Sequence, residues 1–267
     1  MAHHHVNPDN DPDGRWRETL SKGHSPIRGL RRVMRLLPGA PRCKVCHNPF
    51  GGFGGKLCRV IGMTQSRKNP QLCALCCEKL PAGGAETDTV VLFADVRGST
   101  ALSESMGPTA YAELLNNFYQ TATSTLLRHD ATIDKLIGDE VMAFFIRGFS
   151  GPDYKRSAVD AGLDLLRGLG YGSTAGPWLP VGVGVESGTA FVGNVGGLGY
   201  VDFTVLGDPV NLAAHIQAAA GPGELLVGET AFTNLAGRYA GSHLRSIDLK
   251  GKTGPAVAWS VPLAGVS

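Results

Sequence analysis

All six cysteines of the chain fall between Cys43 and Cys77, a confinement that limits what the front of the chain can fold into. Cysteines grouped in this way serve one local purpose and cannot staple a whole chain together. Their pattern is Cys43-x-x-Cys46, then Cys58, then Cys73-x-x-Cys76-Cys77. In a reducing compartment paired CxxC units bring thiolates to one metal at tight turns instead of forming disulfides. Cys43, Cys46, Cys73 and Cys76 suit a closed tetrahedral zinc site. Cys58 and Cys77 are then spare, which keeps an iron–sulfur cluster open as the alternative, since its irons also take thiolates. The gap between the two pairs exceeds the usual ribbon spacing, and Asn69-Pro70 predicts that the second pair opens a helix, as in a treble-clef-like finger. Pro49 to Gly55 reads as a flexible hairpin or loop, and Pro81-Ala82-Gly83-Gly84 closes the module.

A chain of 267 residues has room for one domain of roughly 100 to 200 residues and an appendage. The expected organisation is a basic arm over 1–40, a cysteine-rich metal module over 41–80, a linker over 81–86 and a larger domain over 87–263. In the arm, Arg28, Arg31, Arg32 and Arg35 interleave with Ile27, Leu30, Val33, Met34 and Leu37 at helical spacing, which reads as a basic amphipathic helix. Packing on its own protein is favoured for that helix over contact with a membrane surface. The net charge of +2 and the lack of aromatics interleaved with lysines argue against nucleic acid as a partner. No apolar run approaches the roughly 20 residues that span a bilayer. Met1 to Asp13 lacks the order of a secretory signal, so a cytoplasmic protein is expected. His3 to His5 carry no weight as a metal site.

From Thr87 onward strands and helices alternate. Thr89 to Val96 is β-branched and apolar, as a buried strand should be, and it runs into Asp95 at its end. A carboxylate there needs a metal or a cap to offset its desolvation. Ser99 and Thr100 start a helix whose apolar face includes Leu115, Phe118, Ala122 and Leu126. Ala131–Ile137 and Glu140–Ile146 flank Gly138-Asp139 and read as a β-hairpin. Asp139 alone would be an ordinary turn residue. Beside Asp95 in one sheet it would complete an oxygen-rich site for Mg²⁺ or Mn²⁺. A helix over about 153–169 follows, then strands over 181–185, 190–195 and 201–206, and Gly207-Asp208-Pro209 opens another helix.

Phe93-x-Asp95-Val96-x-Gly98-x-Thr100, Lys135-x-x-Gly138-Asp139-Glu140 and Phe203-Thr204-Val205-x-Gly207-Asp208-x-Val210-Asn211-Leu212-Ala213-Ala214 together resemble the class III adenylate/guanylate cyclases. The likeness runs from about Thr87 to Pro262. It implies an α+β fold with a βαββαβ core, working as a head-to-tail homodimer in which each active site is shared. It also implies an adenylate cyclase that makes cyclic AMP and pyrophosphate from ATP. Asp95 and Asp139 match the family's two metal-binding aspartates, with the backbone carbonyl of Val96 helping. Lys135 and Thr204 match the base-selecting pair and favour ATP, because lysine can donate to adenine N1 and threonine can accept from the exocyclic amine. Asn211 matches the residue that orients ribose. Lys250 resembles the lysine on the terminal phosphates, with Lys252 as the alternative register. One position departs. The family usually carries an arginine four residues after the asparagine, and here it is His215, which offers one donor in place of a charged fork. That departure leaves a degenerate, nucleotide-binding cyclase as the rival reading, and a zinc-finger interaction protein as the rival from another class. No GGDEF-type sequence is present, which disfavours a diguanylate cyclase.

Overall fold

Strand β1, Gly84–Val96, buries Val90, Val91, Leu92 and Ala94 completely, as its apolar run requires of a strand covered on both faces. The protein is described by a computed structural model for residues 16–22, 25–67, 69–79, 83–197, 200–247 and 256–263. The remaining strands are β2 (Thr132–Ile137), β3 (Glu140–Ile146), β4 (Val181–Gly197), β5 (Tyr200–Leu206), β6 (Leu225–Gly228), β7 (His243–Ile247) and β8 (Ala256–Val261). They form one mixed sheet in the order β2-β3-β1-β4-β6-β8-β7, with β5 paired to β4 alone. Helices α1 (Ser25–Leu36), α2 (Gly52–Val60) and α3 (Ala74–Lys79) precede the sheet. Between strands lie α4 (Ser99–Ser105), α5 (Pro108–Arg128), α6 (Arg147–Ser150), α7 (Tyr154–Gly168), α8 (Asp208–Ala219) and α9 (Glu229–Phe232). The path from β1 to β4 is the expected βαββαβ order.

The described residues divide into two compact units. One comprises those up to Asp88 with Ile146–Gly151 and Ala190–Leu206; the other comprises Thr89–Phe145, Pro152–Thr189 and those from Gly207. The second is organised by an apolar core. Phe118, Ala122 and Leu126 of α5 and Ala158, Val159 and Leu166 of α7 are buried with Val90, Leu92, Val183 and Val227 of the strands. The helices present these residues at the i, i+4 spacing that makes one face apolar.

The first unit is built differently. Trp16, Phe149 and Phe203 are buried, with ring centroids of Trp16 and Phe149 at 6.0 and 6.5 Å from that of Phe203. The Arg31 guanidinium of α1 is fully buried over the Phe149 ring, 5.1 Å from its centroid, a cation–π arrangement. Thus α1 packs on its own protein.

Several local expectations need correction. Pro49 to Gly55 is not a loop throughout, because α2 begins at Gly52. The glycines there answer to close packing: a Cβ on Gly54 would lie 2.3 Å from the Pro38 carbonyl oxygen, and one on Gly55 2.5 Å from the Phe50 backbone. The strands expected at 181–185 and 190–195 are one strand, β4. Its polar middle is tolerated because the buried Glu186 carboxylate accepts from the Ser187 and Ala231 N–H groups at 2.6 and 3.2 Å. Residues 84–86 of the expected linker are the start of β1, where Gly84 lets the backbones of Val192 and Gly193 approach so closely that a Cβ would fall 2.3 Å from the Val192 oxygen. The unit holding the cysteines also takes in Ala190–Leu206, a segment expected to belong only to the larger domain. Among the described residues no helix is long and apolar enough to cross a membrane.

Candidate functional site

The turn after β1 and the tip of the β2–β3 hairpin bring Asp95 and Asp139 together. Gly98 at φ 72° and Gly138 at φ 61° permit the two tight bends, and the Val96 N–H donates to the Asp139 carbonyl at 3.3 Å. Burial pushes the Asp95 carboxyl above its ordinary value. The Arg97 guanidinium opposes this, while the Asp139 carboxylate adds to it. Glu140 is raised in the same way, by burial and then by the charges of Asp95 and Asp139. Asp95 and Glu140, both raised by burial and by the charge of neighbouring carboxylates, form with Asp139 a donor set that a hard divalent cation would relieve. The residues therefore fit Mg²⁺ or Mn²⁺.

Arg97, an unspecified position of the motif, partly answers this charge. Its Nη2 donates to Asp95 Oδ2 at 2.7 Å, its Nη1 to the Ala218 carbonyl of α8 at 3.4 Å, and its backbone N–H to Pro180 at 2.7 Å. The Tyr119 hydroxyl donates to the Gly138 carbonyl, which ties α5 to the hairpin tip. Neither residue was singled out from sequence.

Asn211 and His215 lie one turn apart in α8, on one face. Asn211 is exposed and His215 half-buried. Lys135 follows an irregularity in the β2–β3 register between Ile133 and Lys135, and its Nζ donates to the buried Asp134 carboxylate at 3.1 Å. Such a bulge re-aims side chains beside it. Thr204 is buried on β5 opposite Gly193 of β4. Lys250 and Lys252 lie outside the described residues.

The four cysteines of the two CxxC pairs converge. The sulfurs of Cys43, Cys46, Cys73 and Cys76 all lie within 4.8 Å of one another, Cys46 and Cys73 at 3.6 Å. The Cys73 N–H points at Cys43 Sγ at 3.3 Å and the Cys76 N–H at Cys73 Sγ at 3.4 Å. Such N–H donors favour thiolate. Against its burial, hydrogen bonds from the neighbouring sulfurs hold the Cys43 thiol well below its ordinary value, and Cys43 in turn pushes Cys46 and Cys76 up. Cys58 stands apart from the cluster, its Sγ 3.9 Å from the Met34 sulfur.

A family model described as "Adenylate and Guanylate cyclase catalytic domain" matches residues 84–261. An adenylate cyclase of Anabaena cylindrica is 34% identical over 146 residues, covering 52% of this chain and 29% of that protein. An uncharacterized protein of Mycobacterium tuberculosis strain H37Rv is 30% identical over 177 residues, covering 65% of this chain and 30% of its own length. The chain thus spans about three tenths of these curated relatives. Among solved structures, the guanylyl cyclase Cya2 superposes with a TM-score of 0.62 at 28% identity, covering 69% of this chain and 95% of that one. The adenylyl cyclase CyaB from P. aeruginosa does so with a TM-score of 0.58 at 28% identity, covering 66% and 94%.

Proposed function

Because the chain belongs to the adenylate and guanylate cyclase catalytic-domain family, we propose that it is an adenylate cyclase, forming 3′,5′-cyclic AMP and pyrophosphate from ATP. The observation that carries this reading is the meeting of Asp95 with Asp139, whose charge raises the Asp95 carboxyl, at positions where the family holds its metals. Mg²⁺ or Mn²⁺ bound there would lower the pKa of the ribose 3′-hydroxyl and neutralise charge on the triphosphate.

The chain's own residues do the rest. The Asp95 and Asp139 carboxylates and the Val96 carbonyl supply oxygen ligands. Lys135 donates to adenine N1 and Thr204 accepts from the exocyclic amine, whereas guanine presents the opposite pattern. The neighbours' names divide between adenylyl and guanylyl cyclases, so the preference for ATP rests on this pair. Asn211 orients the ribose and His215 offers its ring N–H to the α-phosphate. The bond from O3′ to the α-phosphorus forms as the bond to the β-phosphate oxygen breaks; the hydroxyl proton is lost and pyrophosphate leaves. Lys250 would hold the terminal phosphates. A head-to-tail homodimer suffices, since one chain carries both halves of the motif set.

His215 favours a second reading, a nucleotide-binding cyclase that turns over little. The purified chain, given ATP or GTP with Mn²⁺ and compared by chromatography with a His215→Arg variant, separates the two. Cyclic AMP from the native chain establishes the enzyme. Turnover by the arginine variant alone makes the native chain a binding module, and silence from both rejects the adenylate cyclase reading.

A further inference from the structure

We propose that Cys43, Cys46, Cys73 and Cys76 bind one zinc ion, and that this ion fixes the position of β5, the strand that carries Thr204. The clamp itself rests on geometry; its consequence for nucleotide selection rests on the role proposed above for Thr204.

The sulfur spacing selects the kind of site. With Zn–S bonds of about 2.3 Å the edge of a tetrahedron is about 3.8 Å, and here all four sulfurs lie within 4.8 Å of one another, with one pair at 3.6 Å. A cluster with several irons between the thiolates would spread them further apart. One four-coordinate ion fits.

The residues inside and just before the CxxC pairs reach β5 directly. Lys44, between Cys43 and Cys46, donates from Nζ to Asp202 Oδ1 at 3.1 Å and to the Phe203 carbonyl at 2.9 Å. Gln71, two residues before Cys73, accepts from the Phe203 N–H at 2.8 Å. The two turns are joined to each other, because the Lys44 N–H donates to the Gln71 carbonyl at 3.0 Å. Asn69 donates to the Asn194 side chain on β4 at 3.1 Å, opposite Phe203 in the ladder. Arg31 holds the first turn from the other side, donating to the Val45 and Lys44 carbonyls at 2.6 and 3.2 Å.

These bonds matter because β5 pairs with β4 alone. An edge strand exposes one row of backbone groups, and at Phe203 that row is taken by Gln71 and Lys44. The next residue is Thr204. Short turns such as these have little apolar core of their own, so an ion that ties them together decides whether their side chains stay in place. Releasing it frees the edge of β5.

The test uses the full chain. Metal analysis should find about one zinc per chain, and Cys73→Ser should lose it. In that variant, and in native chain stripped of zinc, amide exchange over Tyr200–Leu206 should quicken by about 10-fold or more while Leu225–Gly228 is unchanged, a local opening. Lys44→Met should keep zinc, quicken exchange over the same segment by a smaller factor, and raise the KM for ATP more than it lowers kcat. Adding zinc back to stripped native chain should restore slow exchange, a readout that does not depend on any variant folding. The proposal falls if zinc-reconstituted chain holds no zinc, if iron with acid-labile sulfide occupies the site, or if exchange over β5 ignores zinc. If β5 responds while KM and the ATP-to-GTP ratio do not, the clamp stands and the role given to Thr204 falls.

Discussion

In the unit that begins at Thr89, α5 and α7 run for 21 and 15 residues and bury a continuous apolar face on the sheet. In the unit with the cysteines, α1, α2 and α3 run for 12, 9 and 6 residues, and the buried set includes Arg31, His47, Asn48 and Asn69. Helices this short are marginal alone, and a small unit rich in buried polar groups depends on links between particular atoms. One unit is ordered mainly by area removed from water; the other adds thiolates and hydrogen bonds to a smaller aromatic cluster around Phe203. They also offer opposite metal chemistry, hard carboxylates in the first case and soft sulfurs in the second. Each unit should therefore fail under a different insult.

The sharpest break in that comparison comes at the carboxylates. Asp95→Ala or Asp139→Ala should cut cyclic nucleotide formation by at least ~10⁴-fold and leave thermal unfolding nearly unchanged, because neither side chain belongs to the core. Normal turnover in either variant would sink the metal assignment. Next in size, Phe118→Ala removes a fully buried ring and should cost about 3–5 kcal/mol in urea unfolding. Stripping zinc should leave the transition that Phe118 reports where it was. A zinc-dependent shift of that transition would mean that the two units do not fold separately.

A smaller effect is expected at His215. Arginine there restores a permanently charged fork toward the α-phosphate and should raise kcat by about 10-fold or more, with KM for ATP little altered. Equal kcat values would show that the imidazole already suffices.

How much of this was legible in the sequence follows the same division. Asp95 could be found because an apolar run that ends in a carboxylate is conspicuous, and the thiolates because CxxC spacing is local. The α5 and α7 faces were legible from their period. By contrast Lys44 meets Asp202 across a separation of 158 positions, and no local pattern records such a pair. The α2 glycines looked like a loop because close backbone approach and turn geometry select the same residue. Arg97 was hidden in a motif position that tolerates many residues, and its role is visible only once Asp95 and Asp139 face each other.

Arg97 supplies the finest test. It holds Asp95 at 2.7 Å in a partly buried pair, with side-chain exposures of 21% and 25%, so the bond contributes on the order of 1 kcal/mol. At neutral pH the guanidinium and a divalent cation compete for the same carboxylate. Arg97→Gln should therefore tighten Mn²⁺ binding by no more than about 5-fold. Acid should erase the advantage. Burial and Asp139 raise the Asp95 pKa and Arg97 lowers it, so protons, like the cation, compete with the guanidinium for the ionised carboxylate, and once Asp95 is protonated Arg97 costs the metal nothing. A Mn²⁺ titration at several pH values should show the variant binding more tightly near neutrality and the two chains converging on acidification. Weaker binding by the variant at every pH would instead make Arg97 a support for Asp95, which positions the carboxylate for the metal without competing for it.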